Sequence, residues 1–394
     1  MKLFVIGCGQ CGGRIADEFA RINAKARVQR DIDIVTGVIA VNTDIADLSG
    51  LFYIKRNFMH RVVIGGQKTS GHGVGKINEL GAEVAREDAD KVFESISHVP
   101  NLVETDAFLL TGSCAGGTGS GAIPVLTQQI KERYPDKPVY NLLVLPFKHE
   151  ESTEERTIFN AATCLKSSYL VADAIFLIDN QKFIRKDFSI KGNISRINAM
   201  IVDPFFNLLC AGEETRPEYI GAKILDAGDI IQTLSGWTIL GHGQVNLSRF
   251  NLPFNLPARI KHDFIDKASE VNKGMQAVDS AVSELSLKCN TADSHKALYL
   301  LSGPPREMNM ELMKNLGAYI KRIAPEAIIR SGDYPREKNS IQATIILSEL
   351  IYVGKIMDYF NKVIVYLAAK SKRKAVSLEQ QTLEEALRNI PTLF

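Results

Sequence analysis

The sequence predicts an α/β chain: a doubly wound parallel sheet first, a long central helix next, and a smaller α+β unit behind them. Three observations predict it. Short apolar runs alternate with helical patterns across residues 3–178, the pattern of strands joined by crossover helices. Glycines gather where those runs end, with 17 of the 29 in residues 1–121. A long stretch at helical spacing then separates this part from one with a different pattern. At 394 residues the chain also exceeds what one core ordinarily serves. The expected divisions are 1–190 for the sheet domain, 191–212 for the central helix, 213–369 for the α+β domain and 370–394 for a tail.

Taken in order, Leu3–Ile6 reads as a buried strand that opens through glycines onto the helical run Arg14–Phe19. Val35–Val41 is a second strand and ends in Asn42-Thr43-Asp44; Val62–Ile64 is a short third. Ala107–Leu110 is a fourth strand, feeding glycines and then a helix through Ile123–Ile130. Val139–Leu145 and Ala174–Ile178 are two more, with a helix from Glu154 to Val171 between them. Ile194, Ile197, Ile201, Phe205 and Leu208 give the central helix, which Pro204 is expected to kink or to mark with a turn. Beyond it the pattern predicts helices near Lys267–Leu287 and Met310–Ile323 and strands near Ala297–Leu301 and Ile341–Leu347. The tail begins with Lys370, Lys372, Arg373 and Lys374, and Ser377-Leu378-Glu379-Gln380 has the form of a capping box. Leu383, Leu387 and Ile390 would then either dock on the tail's own domain or meet a partner.

Composition excludes several classes. Apolar residues make up 45% and charged residues 23%, which rules out a disordered or fibrous chain. A net charge of +2 gives no global electrostatic case for nucleic acid or an anionic membrane. The six cysteines are too few for a disulfide framework, and the first apolar run, ending before Gly7, is too short for a signal peptide. No run approaches the roughly 18 apolar residues that span a bilayer. A soluble, reduced, cytoplasmic protein is expected.

The glycine clusters carry the chemistry. Gly7-Cys8-Gly9-Gln10-Cys11-Gly12 fits GxGxxG between a strand and a helix, where bare amides attract phosphate. Alone it also fits a plain strand-to-helix turn, or the dinucleotide loop of an oxidoreductase. Cys8 and Cys11 lack the second pair or nearby histidine that a zinc site needs. The decapeptide Gly112–Gly121, with Gly116, Gly117, Gly119 and two hydroxyls opening a helix, is far more specific. No lysine follows those glycines, so this is not a P-loop. Clusters that each follow a strand indicate several loops converging on one anion at the carboxyl ends of the sheet. No HExxH and no G-x-S-x-G is present, and no protein-built metal site is expected.

Ala115-Gly116-Gly117-Thr118-Gly119-Ser120-Gly121 resembles the tubulin/FtsZ signature GGGTGSG, with alanine for its first glycine. Gly9-Gln10-Cys11-Gly12-Gly13 resembles the first phosphate loop of that superfamily, Asn42-Thr43-Asp44 the second, and Gly65–Gly75 the third. Pro146-Phe147-Lys148-His149-Glu150 is similar to the segment that meets the ribose. Ile178-Asp179-Asn180 and Ile197-Asn198 resemble the guanine-reading positions, and Leu225–Asp229 the acidic synergy loop. The likeness runs from residue 3 to about 235 in order, and Gly71-His72-Gly73-Val74-Gly75 makes it most similar to the archaeal CetZ family.

The resemblance implies GTP and GDP as ligands, with Mg²⁺ held mainly by the nucleotide phosphates. It implies contacts from Gly9, Gln10, Cys11, Gly12, Gly13, Arg14, Asn42, Asp44, Gly73, Ala115, Gly116, Gly117, Thr118, Gly119, Ser120 and Glu150. Asn180 and Asn198 would read guanine through side-chain amides that both donate and accept; as bare residues each also reads as a helix cap or turn. Asp226 and Asp229 would orient the attacking water. In this family that acidic loop reaches the nucleotide held by the next subunit, which implies head-to-tail filaments and GTP hydrolysis that depends on assembly. From spacing alone the two aspartates read equally well as an exposed helix start. A scaffold that binds GTP without hydrolysing it keeps the same loops. Ile194 stands where an aromatic commonly stacks on guanine, Ile224 where the acidic loop often has asparagine, and Arg156 has no settled place at the nucleotide. Control of cell shape or division is the expected role, with no nucleic-acid partner.

Overall fold

Ten strands join edge to edge in one sheet of order β3-β2-β1-β4-β5-β6-β7-β10-β8-β9 in the computed structural model, which describes residues 1–184, 190–247, 262–370 and 382–394. The strands are β1 (Leu3–Cys8), β2 (Val35–Asn42), β3 (Arg61–Val63), β4 (Ala107–Ser113), β5 (Val139–Leu145), β6 (Ala174–Asp179), β7 (Gly236–Asn246), β8 (Ser294–Gly303), β9 (Ile328–Pro335) and β10 (Ser340–Leu350). Pairing is parallel from β3 through to β7. It turns antiparallel where β7 meets β10 and β10 meets β8, and β9 closes the edge parallel to β8.

The apolar runs of β1, β4 and β5 are buried on both faces, as a covered parallel sheet requires. Alternate residues divide between two cores. Phe4, Ile6, Phe108, Leu110 and Leu143 meet the helices Asn78–Glu87, Thr118–Arg133 and Glu155–Val171. Leu3, Val5, Leu109, Leu142 and Val144 meet the helix Gly9–Arg30 and the central helix Ile190–Ala211.

The central helix runs without a break through Pro204. The expected turn is absent because the proline forfeits one rung of the ladder, to the carbonyl of Met200, while its neighbours hold. The sequence reading passes over β7, and its glycines explain why. A Cβ on Gly241 would lie 2.1 Å from the Ala281 carbonyl oxygen, and one on Gly243 would lie 2.0 Å from that of Ala277. These glycines let the helix His262–Ser283 press onto the strand backbone and interrupt the apolar run by which a strand is recognised.

The tail docks on its own subunit. Thr382 and Glu385 form a capping box for the helix Leu383–Asn389, and Ile390 and Leu393 are buried. Lys166 donates to the Ile390 carbonyl, Leu393 N donates to Ser167 Oγ at 3.1 Å, and Arg86 donates to the Leu393 carbonyl at 2.9 Å. Ser377–Gln380 and the basic residues Lys372, Arg373 and Lys374 lie outside the described residues. No described helix is long and apolar enough to cross a membrane.

Candidate functional site

A cavity of about 350 Å³ opens at the carboxyl ends of the parallel strands, where the glycine clusters converge. Gly9 begins the first helix at φ +69, and a Cβ there would come within 2.9 Å of the Gly119 amide nitrogen. Two helix starts are thus packed backbone to backbone. The amides of Gly9, Gln10 and Cys11 have no intrahelical acceptor; from Gly12 onward the helical ladder takes over. Gly12 and Gly13 therefore do not border the cavity. Gly12 serves packing instead, because a Cβ there would sit 2.0 Å from the Thr111 carbonyl oxygen.

The second helix start is built as closely. Gly117 precedes the helix Thr118–Arg133, and a Cβ on Gly116 would meet nothing within 4 Å, since that position faces open cavity. Thr118 Oγ1 lies 2.6 Å from Thr43 Oγ1, tying the loop after β2 to the signature. Ser120 turns away and donates to the Gly116 carbonyl, so its side chain supports the loop without lining the cavity. Asn160, fully buried on the helix Glu155–Val171, donates to the carbonyls of Lys76, Ala115 and Gly116 at 2.9, 3.2 and 3.0 Å. One amide nitrogen thereby fixes the signature loop against the third glycine loop.

Acidic and amide side chains line the wall after β2. Gln10 Nε2 and Asn42 Nδ2 donate to the two oxygens of Asp47 at 2.5 and 3.1 Å. Asp44 accepts from Ala46 N and Asp47 N at 2.8 and 3.1 Å through Oδ1. Gly73, at φ +83, faces Asp44 Oδ2. Arg14 and Lys76 supply positive charge, and Lys76 Nζ is 2.5 Å from Glu154.

Phe147, Glu150, Asn180, Ile194, Ile197 and Asn198 also line the cavity. Glu150 accepts from Phe147 N at 2.9 Å. The cap before Asn180 is Asp179, which accepts from Gln181 N at 3.1 Å, and Asn198 lies within the central helix. Neither asparagine is a cap or a turn, and both line the cavity.

Cys11 borders the cavity with its thiol pushed up to about 12, chiefly by burial, against which Arg14 pulls it down while Glu150 adds to the rise. Burial likewise raises Cys8. Both shifts favour the unreactive thiol form at neutral pH.

The structure brings together Gly9, Gln10, Cys11, Arg14, Asn42, Asp44, Gly73, Ala115, Gly116, Gly117, Thr118, Gly119, Glu150, Asn180 and Asn198. It keeps Asp226 and Asp229 apart from them. Asp226 caps the helix Ala227–Thr233 by accepting from Asp229 N at 2.8 Å, and Asp229 lies 3.3 Å from Arg330. Arg156 pairs with Glu79 and does not border the cavity. Sequence reasoning missed Asp47, Lys76 and Asn160. Lys76 directly follows the third glycine cluster and Asp47 stands three residues after Asp44, so both had a signal; Asn160 had none. Among the described residues no group of three His, Cys, Asp or Glu side chains is placed to hold a metal ion.

Comparison with known proteins agrees with this geometry. Residues 2–186 match the GTPase domain of the tubulin/FtsZ family, and residues 187–364 match the C-terminal domain of tubulin-like CetZ. The tubulin-like protein CetZ1 of Haloferax volcanii is 34% identical, the match covering 91% of this chain and 90% of that protein. The solved GDP-bound CetZ1 monomer of Haloferax volcanii superposes with a TM-score of 0.77 at 30% identity, covering 93% of this chain and 100% of that one. The GTPγS-bound CetZ2 protofilament of the same organism gives 0.77 at 25% identity, covering 94% of this chain and 99% of the other.

Proposed function

The chain belongs to the tubulin/FtsZ family, in its CetZ branch, and from that membership we propose that it binds and hydrolyses GTP and polymerises head to tail into filaments. The observation that carries the reading is the composition of one cavity. Two helix starts with free amides and two side-chain amides, Asn180 and Asn198, line the same cavity. The amides of Gln10, Cys11, Gly116, Gly117 and Gly119 would hold phosphates, and Thr118 would add a hydroxyl donor. Asn180 and Asn198 would pair with the guanine edge. Adenine would leave these polar groups unpaired, at a cost of roughly 1–3 kcal/mol each.

Mg²⁺ fits a site of this kind if the nucleotide supplies most of its ligands, since the cavity's own carboxylates, Asp44, Asp47 and Glu150, form no metal cluster; bound there, it would screen charge on the phosphates. The hydrolytic acid is proposed to come from elsewhere. Asp226 and Asp229 lie outside the cavity of their own subunit, and we assign them to the nucleotide held by the neighbour. Asp229 would orient and polarise the attacking water there, with Asp226 fixing the helix start that carries it. Such an end-to-end contact repeats without closing, and so makes a filament. We read residues 1–190 as the unit that holds nucleotide and 213–369 as the unit that completes the next site, joined by the helix 191–212. The relatives are named as tubulin-like proteins and one is solved as a protofilament, which supports filament formation; the role we propose for such filaments is in cell shape or division.

Purified protein should release GDP or GTP on denaturation. Release of NAD or an adenine nucleotide would overturn the assignment.

A further inference from the structure

The loop between β2 and β3 is built to hold three aromatic rings in solvent. Phe52, Tyr53 and Phe58 are 77%, 53% and 79% exposed, while Leu51 and Ile54 between and beside them are buried. The alternation is fixed from below. Asp17, buried on the first helix, accepts from the amides of Phe52, Tyr53 and Ile54 at 2.8, 2.7 and 2.8 Å. Arg61, also buried, donates to the carbonyls of Leu48, Leu51 and Ile54 at 2.7, 2.9 and 2.6 Å. Asn57 closes the turn by accepting from His60 N at 3.0 Å. Two charged side chains are thus committed to the backbone of residues 48–61, none of which lines the nucleotide cavity, although Asp44 and Asp47 at the start of the same loop do. Exposed apolar rings held this firmly point to a partner.

Charge says which partner. Lys55 and Arg56 are exposed between the rings, and from Leu48 to Asn78 the chain contains no aspartate or glutamate. The whole-chain balance of +2 conceals this local excess. The shallow groove beside the rings, lined by Ile45, Leu48, Ser49, Arg56, Asn57, Arg61 and Val63, has no acidic wall either. We propose that this loop is a docking tip for an anionic lipid bilayer. Rings exposed to this degree project, and a protein partner would need a matching hollow for each. The headgroup region of a bilayer accepts projecting rings at any spacing, and its phosphates pair with the flanking cations. The loop flanks the edge strand β3 and leads into its amino end, whereas the cavity lies at the carboxyl ends of the strands. Docking there would leave the nucleotide end free, and the proposal does not rest on the nucleotide reading.

The test is flotation of the full chain with vesicles of phosphatidylcholine alone or mixed with phosphatidylglycerol, at low and raised ionic strength. The wild type should float with the mixed vesicles, less so as salt rises. Phe52→Ser with Phe58→Ser, and separately Lys55→Glu with Arg56→Glu, should each reduce binding by roughly tenfold. Guanine-nucleotide affinity and melting temperature should stay unchanged, because none of the four side chains packs in the core or borders the cavity. Failure of the wild type to float, equal binding to pure phosphatidylcholine, or undiminished binding by the Phe52→Ser, Phe58→Ser variant would overturn the proposal. A change in self-association without a change in flotation would assign the tip to contacts between copies and likewise overturn it.

Discussion

Asn160 Nδ2 donates to the Gly116 carbonyl at 3.0 Å from a position with no exposure to solvent. The same nitrogen reaches Lys76 and Ala115, so one buried side chain sets the distance between two glycine loops. Asn160→Ala should leave these carbonyls unpaired and cost about 1–3 kcal/mol of stability. Loop position should suffer with it, lowering guanine-nucleotide affinity roughly tenfold, which is about 1.4 kcal/mol. Thermal melting and nucleotide titration check the two effects separately. A stability loss with unchanged affinity would make Asn160 a core residue and nothing more.

Gly117 is where the signature meets the third glycine loop most closely. A Cβ there would lie 2.5 Å from Val74 Cγ2 and 3.0 Å from the Ile77 amide nitrogen. Gly117→Val must push the signature away from the third loop, and nucleotide binding should be abolished. The C-terminal strands are remote from this contact and should stay folded, which circular dichroism and limited proteolysis would follow. Normal GTP affinity in this variant would mean that the loop is not the phosphate cradle.

Asn180→Ala should weaken discrimination between guanine and adenine more than it weakens phosphate binding. Losing one amide that both donates and accepts implies roughly a 5- to 100-fold fall in the GTP-to-ATP affinity ratio. Competition titrations with the two nucleotides measure it. An unchanged ratio would move base recognition away from Asn180.

The tail offers a contrast between stability and binding. Ile390 and Leu393 are buried against the first core, far in sequence from any phosphate loop. Truncation after Ala369 should destabilise the chain by about 3–6 kcal/mol at most, at about 1.5–3 kcal/mol for each buried side chain. Nucleotide affinity should remain within a few-fold. Denaturant unfolding and titration separate the effects, and a large affinity loss would show that the tail shapes the cavity through Lys166 and Ser167.

The sequence made the six strands of the first half legible because each is an apolar run stopped by glycine or a polar turn. It also identified most of the residues that the cavity brings together, since backbone cradles demand glycine at fixed spacing. What it hid has physical causes. Gly241 and Gly243 serve helix-on-strand packing but interrupt the apolar run of their strand, so β7 escaped notice. Gly12, Gly13 and Ser120 carry the right spacing, yet the helix ladder or an inward hydroxyl bond removes them from the cavity. Asn160 is a lone amide on a helix, and only the assembled fold reveals the carbonyls it meets. Thr382 and Glu385 carry the same pattern as Ser377 and Gln380, so pattern alone does not single out the box that caps the helix Leu383–Asn389.

Asp229 carries the central claim, that a subunit binds GTP alone but hydrolyses it only with a neighbour. Within its own subunit its carboxylate lies 3.3 Å from Arg330 and borders no part of the cavity. Phosphate release by wild type and Asp229→Ala, measured across a protein concentration series, tests this most directly. The account predicts that specific activity of the wild type climbs with concentration. It predicts that Asp229→Ala keeps GTP affinity while losing on the order of 10²–10⁴ in rate. Specific activity independent of concentration, with Asp229→Ala unimpaired, would contradict the shared site.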